Sequence, residues 1–133
     1  MIKVQTKIRV RYAETDTMGV AYHGNYLTWF EVGRVDLLDK MGTPYRLLEN
    51  DGYMLPVAEC HVKFLKPSRF DDVLTIESCI EEKPRVKIVV HYNVYLEGNV
   101  ICKGHTVHAF IGADGQLRRP PENFMKQVNE LWS

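Results

Sequence analysis

Residues 26–42 carry the strongest structural signal in this sequence. The side chains that recur there at steps of three and four are Tyr26, Phe30, Gly33, Leu37 and Met41. This spacing places them on one face of an α-helix. Gly42 suits the left-handed conformation that ends a helix, and Pro44 follows it. Because Gly33 lies within the apolar face, we expect the helix to pack closely on a sheet or on a partner helix.

The preceding segment, residues 12–24, combines groups that suit acyl transfer. Gly19 and Gly24 interrupt it, so we expect a loop that holds Asp16 and His23 just before the helix. A helix N-terminus offers unpaired backbone N–H groups and a positive dipole end. A carboxylate, an imidazole and such a helix end indicate an acyl-transfer site. Two simpler roles stay open: Asp16 as a loop or capping residue, and His23 as a structural hydrogen-bonding residue.

Alternating apolar and polar residues predict five strands. They lie at residues 2–11, 53–65, 73–82, 85–97 and 100–111. A short helical turn is expected at residues 44–51 and a last helix at residues 122–132. Strands joined by short turns pair antiparallel, so the last four strands are expected to pair in sequence. One long helix on one antiparallel sheet makes a two-layer α+β domain.

The composition indicates a single soluble domain that spans residues 1–133. The chain has 17 basic and 17 acidic residues, and this balance argues against a general nucleic-acid binder. Cys60, Cys79 and Cys102 lie in predicted strands without CxxC spacing, so we expect reduced core thiols and a cytoplasmic protein. No signal peptide or membrane-spanning segment is expected.

The run VRYAETDTMGVAYHGNYLTWFEVGR at residues 10–34 resembles the hotdog-fold acyl-CoA thioesterases. It is most similar to the 4-hydroxybenzoyl-CoA thioesterase family, in the branch associated with the bacterial Tol–Pal system. Supporting similarity extends to residues 62–74 and residues 104–110. The resemblance implies a hotdog fold, in which a five-stranded antiparallel sheet wraps around a long central helix. It also implies a homodimer, often a dimer of dimers, with active sites at the subunit interface.

The resemblance further implies roles for individual residues. Asp16 matches the catalytic carboxylate of the family, and His23 falls where members carry Tyr or His. The backbone N–H of His23 or Gly24 would polarise the thioester carbonyl. The remaining residues expected to shape the substrate site are Tyr22, Asn25 and Tyr26.

A second group of hotdog thioesterases uses a Glu on the central helix. Glu31 or Asp36 would stand in that place, but Asp16 in its own motif makes this less favourable. Asp16 can act as a nucleophile or as a general base, and the sequence does not choose between these roles. The thiolate leaving group needs no metal, and coenzyme A is part of the substrate rather than a cofactor.

The phosphates of coenzyme A require nearby cations. Lys83 and Arg85, at the turn between the third and fourth predicted strands, are the favoured candidates. The other basic residues considered are Lys66, Arg69, Lys87, Arg118 and Arg119. Solvated surface charge is the simpler interpretation of each.

The sequence therefore predicts an acyl-CoA thioesterase. The alternative is a non-catalytic hotdog module that binds an acyl carrier or another partner in envelope or lipid metabolism. The expected partners are an acyl-CoA and a second copy of the chain, with an acyl carrier protein as a further candidate. Neither nucleic acid nor membrane insertion is expected, and the acyl group stays open.

Overall fold

The computed structural model describes residues 1–133. In chain order its elements are β1 (Ile2–Arg9), α1 (Asn25–Lys40), α2 (Tyr45–Asn50), β2 (Tyr53–Met54), β3 (Val57–Phe64), β4 (Val73–Ile80), β5 (Lys87–Leu96), β6 (Asn99–Ala109), β7 (Ile111–Gly112) and α3 (Glu122–Leu131). A single 3-10 turn, Tyr12–Glu14, opens the loop that leads to α1. No helix has the length and apolar character needed to cross a membrane.

Five strands form one antiparallel sheet in the order β1-β4-β5-β6-β3. The long helix α1 packs against its inner face and buries Phe30, Leu37 and Leu38 there. Phe30 stacks on Tyr92 of β5, with ring centroids 4.2 Å apart and ring planes 4° from parallel. One helix against one antiparallel sheet is the predicted α+β arrangement.

Gly33 of α1 is buried against the sheet. A Cβ atom at this position would overlap the Ser78 hydroxyl and lie 3.2 Å from Cγ2 of Ile76. Both neighbours belong to β4, so the close packing expected at Gly33 is contact with the sheet. The Ser78 hydroxyl is buried beneath the helix without a hydrogen-bond partner.

The predicted strand over residues 53–65 is wrong as one element, because the chain breaks into β2 and β3 around Leu55 and Pro56. Proline has no N–H for a sheet ladder. The polar groups here bond outside the sheet instead: the Leu55 N–H donates to the Tyr45 hydroxyl at 3.2 Å, and the Leu55 carbonyl accepts from the Arg34 guanidinium at 2.9 Å. Leu55 therefore turns inward and is buried.

The expected pairing of β3 with β4 is also wrong, because β3 pairs with β6 at the edge of the sheet. Residues 65–72 connect β3 to β4 across the sheet, and backbone hydrogen bonds hold this crossing at both of its ends. The N–H groups of Leu65 and Lys66 donate to the Ile101 carbonyl. At the other end, the Asp71 N–H donates to the Val10 carbonyl, and the Val10 N–H donates to the Asp72 carbonyl. This crossing passes the start of α1 and places Ser68 beside it.

The inner face of β3 lacks the cover that α1 gives to the rest of the sheet. Val57 and Phe64 are 45% and 48% exposed. Cys79 and Cys102 are buried free thiols, as expected, but Cys60 on β3 is exposed. The expectation of a core thiol is therefore wrong for Cys60, because the strand that carries it is an edge strand with an open inner face.

His108 of β6 is fully buried in a hydrogen-bonded row. Its Nδ1 donates to the Pro56 carbonyl at 3.1 Å, because a carbonyl can only accept. Its Nε2 therefore carries no proton and accepts from the Thr106 hydroxyl at 2.7 Å. Thr106 in turn accepts from the Tyr92 hydroxyl at 2.9 Å. Burial and the positive charge of Arg34 lower the pKa of His108 to about 4.

We predict that the free energy of unfolding decreases as the pH is lowered, over a pH range set by the titration of His108. The unfolded histidine binds a proton below about pH 6.5, whereas the folded one stays neutral until about pH 4. Between these values the unfolded state holds the extra proton, so the free energy of unfolding decreases as pH falls, by roughly 3 kcal/mol across the window. Urea denaturation at successive pH values measures this slope.

His108→Asn keeps a donor for Pro56 but cannot titrate, so its stability should depend much less on pH between these limits. His91→Asn, a substitution of a half-buried histidine on the outer face, is the matched control and should keep the slope of the parent. An unchanged slope in His108→Asn would contradict the assignment.

Candidate active site

The loop between the 3-10 turn and α1 folds back on itself, which brings Asp16 toward the start of the helix. Gly19 adopts a φ of +79°, and the Asp16 N–H donates to the Val20 carbonyl at 2.8 Å. A backbone bridge joins Thr15 to Ala21. The segment from Asp16 to His23 therefore forms a tight turn rather than an extended connection.

The Asp16 carboxylate is half-buried and has one engaged oxygen. Oδ1 accepts from the Met18 N–H at 2.9 Å and from the Val20 N–H at 3.4 Å. No protein donor bonds to Oδ2. The first contact is an Asx-type turn, so Asp16 does shape its loop. Its second oxygen is left for another partner.

Asp16 borders a cleft of about 280 Å³. The residues that line it are Asp16, Met18, Val20, Ala21, His23, Tyr26, Phe64, Leu65, Lys66 and Pro67. They come from the loop, the first turn of α1, and the end of β3 with the crossing that follows it. The cleft is thus a mostly apolar space with one carboxylate, one imidazole and one ammonium group at its wall.

The start of α1 leaves backbone donors unpaired. Gly24 is the N-cap residue and offers no capping side chain. The N–H groups of His23 and Gly24 donate to no acceptor in the chain, whereas those of Asn25 and Tyr26 donate to Tyr22 and His23. Unpaired N–H groups at a helix start favour a negatively charged oxygen.

Tyr22 and His23 pack against each other beside this cleft. Their rings pack at a centroid distance of 4.3 Å, and the His23 ring meets the edge of Phe64 at 6.1 Å. Tyr22 covers Gly24, where a Cβ atom would come within 2.6 Å of the tyrosine ring. Of these residues only His23 lines the cleft, so Tyr22 and Gly24 shape its surroundings.

Tyr26 forms the inner wall. It is 2% exposed, and its hydroxyl shares a 2.7 Å hydrogen bond with Ser68. Its ring packs edge-on against Phe64 and Trp29, at centroid distances of 5.2 and 4.6 Å. Burial raises the pKa of the Tyr26 phenol, which therefore stays protonated. The sequence does not mark Ser68 and Phe64 as site residues, because only the tertiary placement of β3 and of the crossing after it brings them to Tyr26.

Asn25 and Glu14 fasten the loop to the helix. The Asn25 side chain donates to the Glu14 carbonyl at 2.7 Å, and the indole N–H of Trp29 donates to the Glu14 carboxylate at 3.2 Å. Asn25 does not line the cleft. Sequence reasoning missed Glu14, since a glutamate two residues before Asp16 carries no sign that it is buried.

Lys83 and Arg85 lie away from this cleft. They border a separate open groove at the turn between β4 and β5, whereas the cleft lies at the end where β4 begins. β4 is eight residues long, which separates the two ends by about 25 Å. Within one chain the structure therefore does not bring these two cations to Asp16, and Lys66 is the cation at the cleft.

The strand histidines do not contribute to the site. His61, His105 and His91 form a row across the outer face of the sheet, with ring centroids 5.6 and 5.9 Å apart. No group of three or more His, Cys, Asp or Glu side chains is placed to hold a metal ion. On the central helix, Glu31 binds Arg34 at 2.7 Å and Arg34 in turn binds Leu55, so this glutamate already has a structural partner.

Comparison with known proteins identifies the family. The family model of the thioesterase-like superfamily matches residues 10–128. Over 89 residues the chain is 39% identical to YneP of Bacillus subtilis (strain 168), a match that covers 67% of this chain and 64% of YneP. It is 25% identical to the 4-hydroxybenzoyl-CoA thioesterase of Pseudomonas sp. (strain CBS-3), over 86% of both chains.

Solved structures agree with this. The DHNA-CoA thioesterase from Staphylococcus aureus superimposes with a TM-score of 0.94 and 33% identity, over 99% of this chain and 92% of that one. The predicted hotdog architecture is confirmed by this likeness, and the predicted enzyme class, an acyl-CoA thioesterase, is confirmed at the level of the family. The chain therefore belongs to the thioesterase-like superfamily and has the hotdog fold.

Proposed function

We propose that residues 1–133 form one domain that hydrolyses the thioester of an acyl-CoA, with Asp16 as the catalytic carboxylate. One observation carries this proposal. The cleft is bordered both by a carboxylate with one unengaged oxygen and by His23, whose backbone N–H is unpaired just before α1. An acyl carbon between them would have a nucleophile or base on one side and donors for its oxygen on the other.

The chemistry follows from these two groups. Asp16 attacks the carbonyl carbon, or it takes a proton from a water that attacks. In either case the carbonyl oxygen gains negative charge, which the N–H groups of His23 and Gly24 would stabilise by about 3–4 kcal/mol for one well-placed donor. The C–S bond then breaks, and the coenzyme leaves as a thiolate that takes up a proton. If Asp16 was the nucleophile, the acyl group is now joined to it as an anhydride, which a water molecule hydrolyses to release the free acid and restore the carboxylate.

The cleft walls support a role for His23 and Tyr26 in holding the acyl group. Tyr26 and Phe64 offer ring edges and faces, and His23 lies at the entrance. Flat rings pack well on such surfaces, and alkyl chains can as well. The Staphylococcus and Pseudomonas relatives are named for DHNA-CoA and 4-hydroxybenzoyl-CoA. Aromatic acyl-CoAs are therefore the first substrates to test, beside short and long acyl chains and an acyl carrier protein thioester.

The active form is proposed to be a homodimer that pairs through β3. This edge strand has an uncovered, apolar inner face that includes Val57 and Phe64. Val32 and Val35 of α1 are also about two-fifths exposed, at 40% and 39%. Pairing of two β3 strands about a two-fold axis would satisfy both free edges and join the sheets, and the two helices would cover the open faces.

Such a dimer would also supply the missing cations. Two strands that pair about a two-fold axis run antiparallel, so each Val57 end would lie beside the Phe64 end of the other copy. The turn between β4 and β5 lies at the Val57 end, since Ile88 and Val57 both pair with His108. Lys83 and Arg85 of the partner subunit would then lie at the end of the joined sheet that holds Asp16, where they would bind the nucleotide phosphates.

Three free cysteines, one of them exposed, suit a reducing compartment, so we place the enzyme in the cytoplasm. A dimer of dimers and an association with the Tol–Pal system stay predictions from the resemblance.

Asp16→Asn should lower kcat by about 10³-fold while folding and substrate binding persist, because the amide neither attacks nor accepts a proton as a carboxylate does. Release of free thiol from the acyl-CoA panel measures kcat, and calorimetry measures binding. Asp39→Asn, on the exposed last turn of α1, is the matched control and should keep the parent rate. If Asp16→Asn keeps the parent rate, the assignment is wrong. If the parent protein binds these thioesters but hydrolyses none, the non-catalytic module is favoured.

Mixed dimers test where the nucleotide binds. Asp16→Asn subunits and Lys83→Ala/Arg85→Ala subunits, carrying different tags, can be co-expressed and the mixed dimer purified through both tags. If the cations act on the partner's site, each mixed dimer has one intact and one doubly damaged site, and shows about half the parent activity at low substrate concentration. If they act within their own subunit, both sites are damaged and activity stays near that of the two defective homodimers. A stable monomer in light scattering would contradict the whole arrangement.

A further inference from the structure

Glu14 is a buried carboxylate for which the reaction has no direct use. It closes the 3-10 turn before the loop and is only 8% exposed. It does not line the cleft. A charged group is costly to bury unless it is paired and hydrogen-bonded, so its partners show what it does.

The carboxylate binds the two elements on either side of the loop. Oε1 accepts from the Arg11 N–H at 2.8 Å, and Oε2 accepts from the Trp29 indole N–H at 3.2 Å. The Arg11 guanidinium lies 3.5 Å from it. Burial alone raises the pKa of Glu14, but hydrogen bonds from Arg11 and Trp29 outweigh this and leave the pKa below its usual value.

The carbonyl oxygen of the same residue binds the far end of the loop. It accepts from the Tyr22 N–H at 2.8 Å and from the Asn25 side chain at 2.7 Å. Thus Glu14 holds residues 15–24 at both ends: it precedes the first residue of the loop, and it bonds to Tyr22 and Asn25 at the last. Through Trp29 it also fixes the loop to the second turn of α1.

We propose that Glu14 is a positioning residue that sets the distance between the Asp16 carboxylate and the N–H groups at the start of α1. This inference rests on the proposed role of Asp16. Loss of the carboxylate would leave the Trp29 and Arg11 N–H groups without an acceptor and free the loop to shift relative to the helix. A displacement of about 1 Å between reacting groups can cost about 100-fold in rate.

The test compares kcat, KM and thermal stability in three variants. Glu14→Ala should lower kcat by about 100-fold at a temperature well below its unfolding transition, with a much smaller change in KM. Glu14→Gln keeps one carbonyl acceptor, so its kcat should lie between those of Glu14→Ala and the parent. Trp29→Phe removes only one donor, so its kcat should fall less than that of Glu14→Ala. Asp114→Asn is the matched control: its carboxylate binds one backbone N–H and one arginine in an exposed turn, and it should keep the parent kcat.

A second measurement separates positioning from general damage to the cleft. In an Asp16→Asn background, Glu14→Ala should leave the calorimetric Kd for an acyl-CoA within about threefold, because the role of Glu14 acts through Asp16. A Kd at least ten times weaker would overturn the proposal, as would Glu14→Ala with the parent kcat. If Glu14→Ala does not fold, Glu14→Gln decides in its place, and its parent-like kcat would overturn the proposal.

The two proposals can fail separately. If Asp16→Asn keeps full turnover, the catalytic assignment is wrong and the positioning proposal falls with it. If Asp16→Asn is inactive but Glu14→Ala is fully active, only the positioning role is wrong.

Discussion

The start of α1 is the constraint on which the rest of the site depends. The first N–H groups of a helix have no acceptor inside the helix, and here those of His23 and Gly24 find none elsewhere in the chain. The rest of the N-terminus is held firmly: Tyr26 bonds to Ser68, Asn25 to the Glu14 carbonyl and Trp29 to the Glu14 carboxylate. Hydrogen bonds thus fix the first turns of α1 around two unpaired N–H groups, and one of their residues, His23, lines the same cleft as Asp16. This placement supports the proposed acyl-transfer site.

The open edge of the same sheet supports the proposal that the active form contains two copies of the chain. β3 ends beside the cleft, and Val57 and Phe64 leave its apolar inner face partly uncovered. The favoured nucleotide-binding cations lie at the opposite end of the sheet. A single two-fold pairing through β3 would correct both deficits at once, since it covers the open face and reverses the direction of the second sheet. Stability, substrate binding and assembly would then depend on one edge strand.

The sequence predicted those parts of the fold that local patterns determine. The 3.6-residue period gave α1 to within about two residues, and alternation gave β1, β4, β5 and β6. The prediction was wrong where contacts between residues distant in sequence determine the secondary structure. Pro56 split a strand whose polar groups bond to Tyr45 and Arg34, and β3 crossed to pair with β6. For the site, the motif indicated Asp16 and His23, but the burial of Glu14 and the placement of Ser68 and Phe64 depend on packing that no spacing reveals.

The most direct test of carbonyl polarisation at the start of α1 is the infrared carbonyl band of a thioester bound at the proposed site. A ¹³C-labelled 4-hydroxybenzoyl-CoA, bound to the Asp16→Asn variant so that it is not consumed, reports the hydrogen bonding of that single carbonyl. We expect a shift to lower frequency relative to the same thioester in water, because the N–H groups at the start of α1 would polarise the C=O bond. A band at the frequency of the free thioester would contradict it.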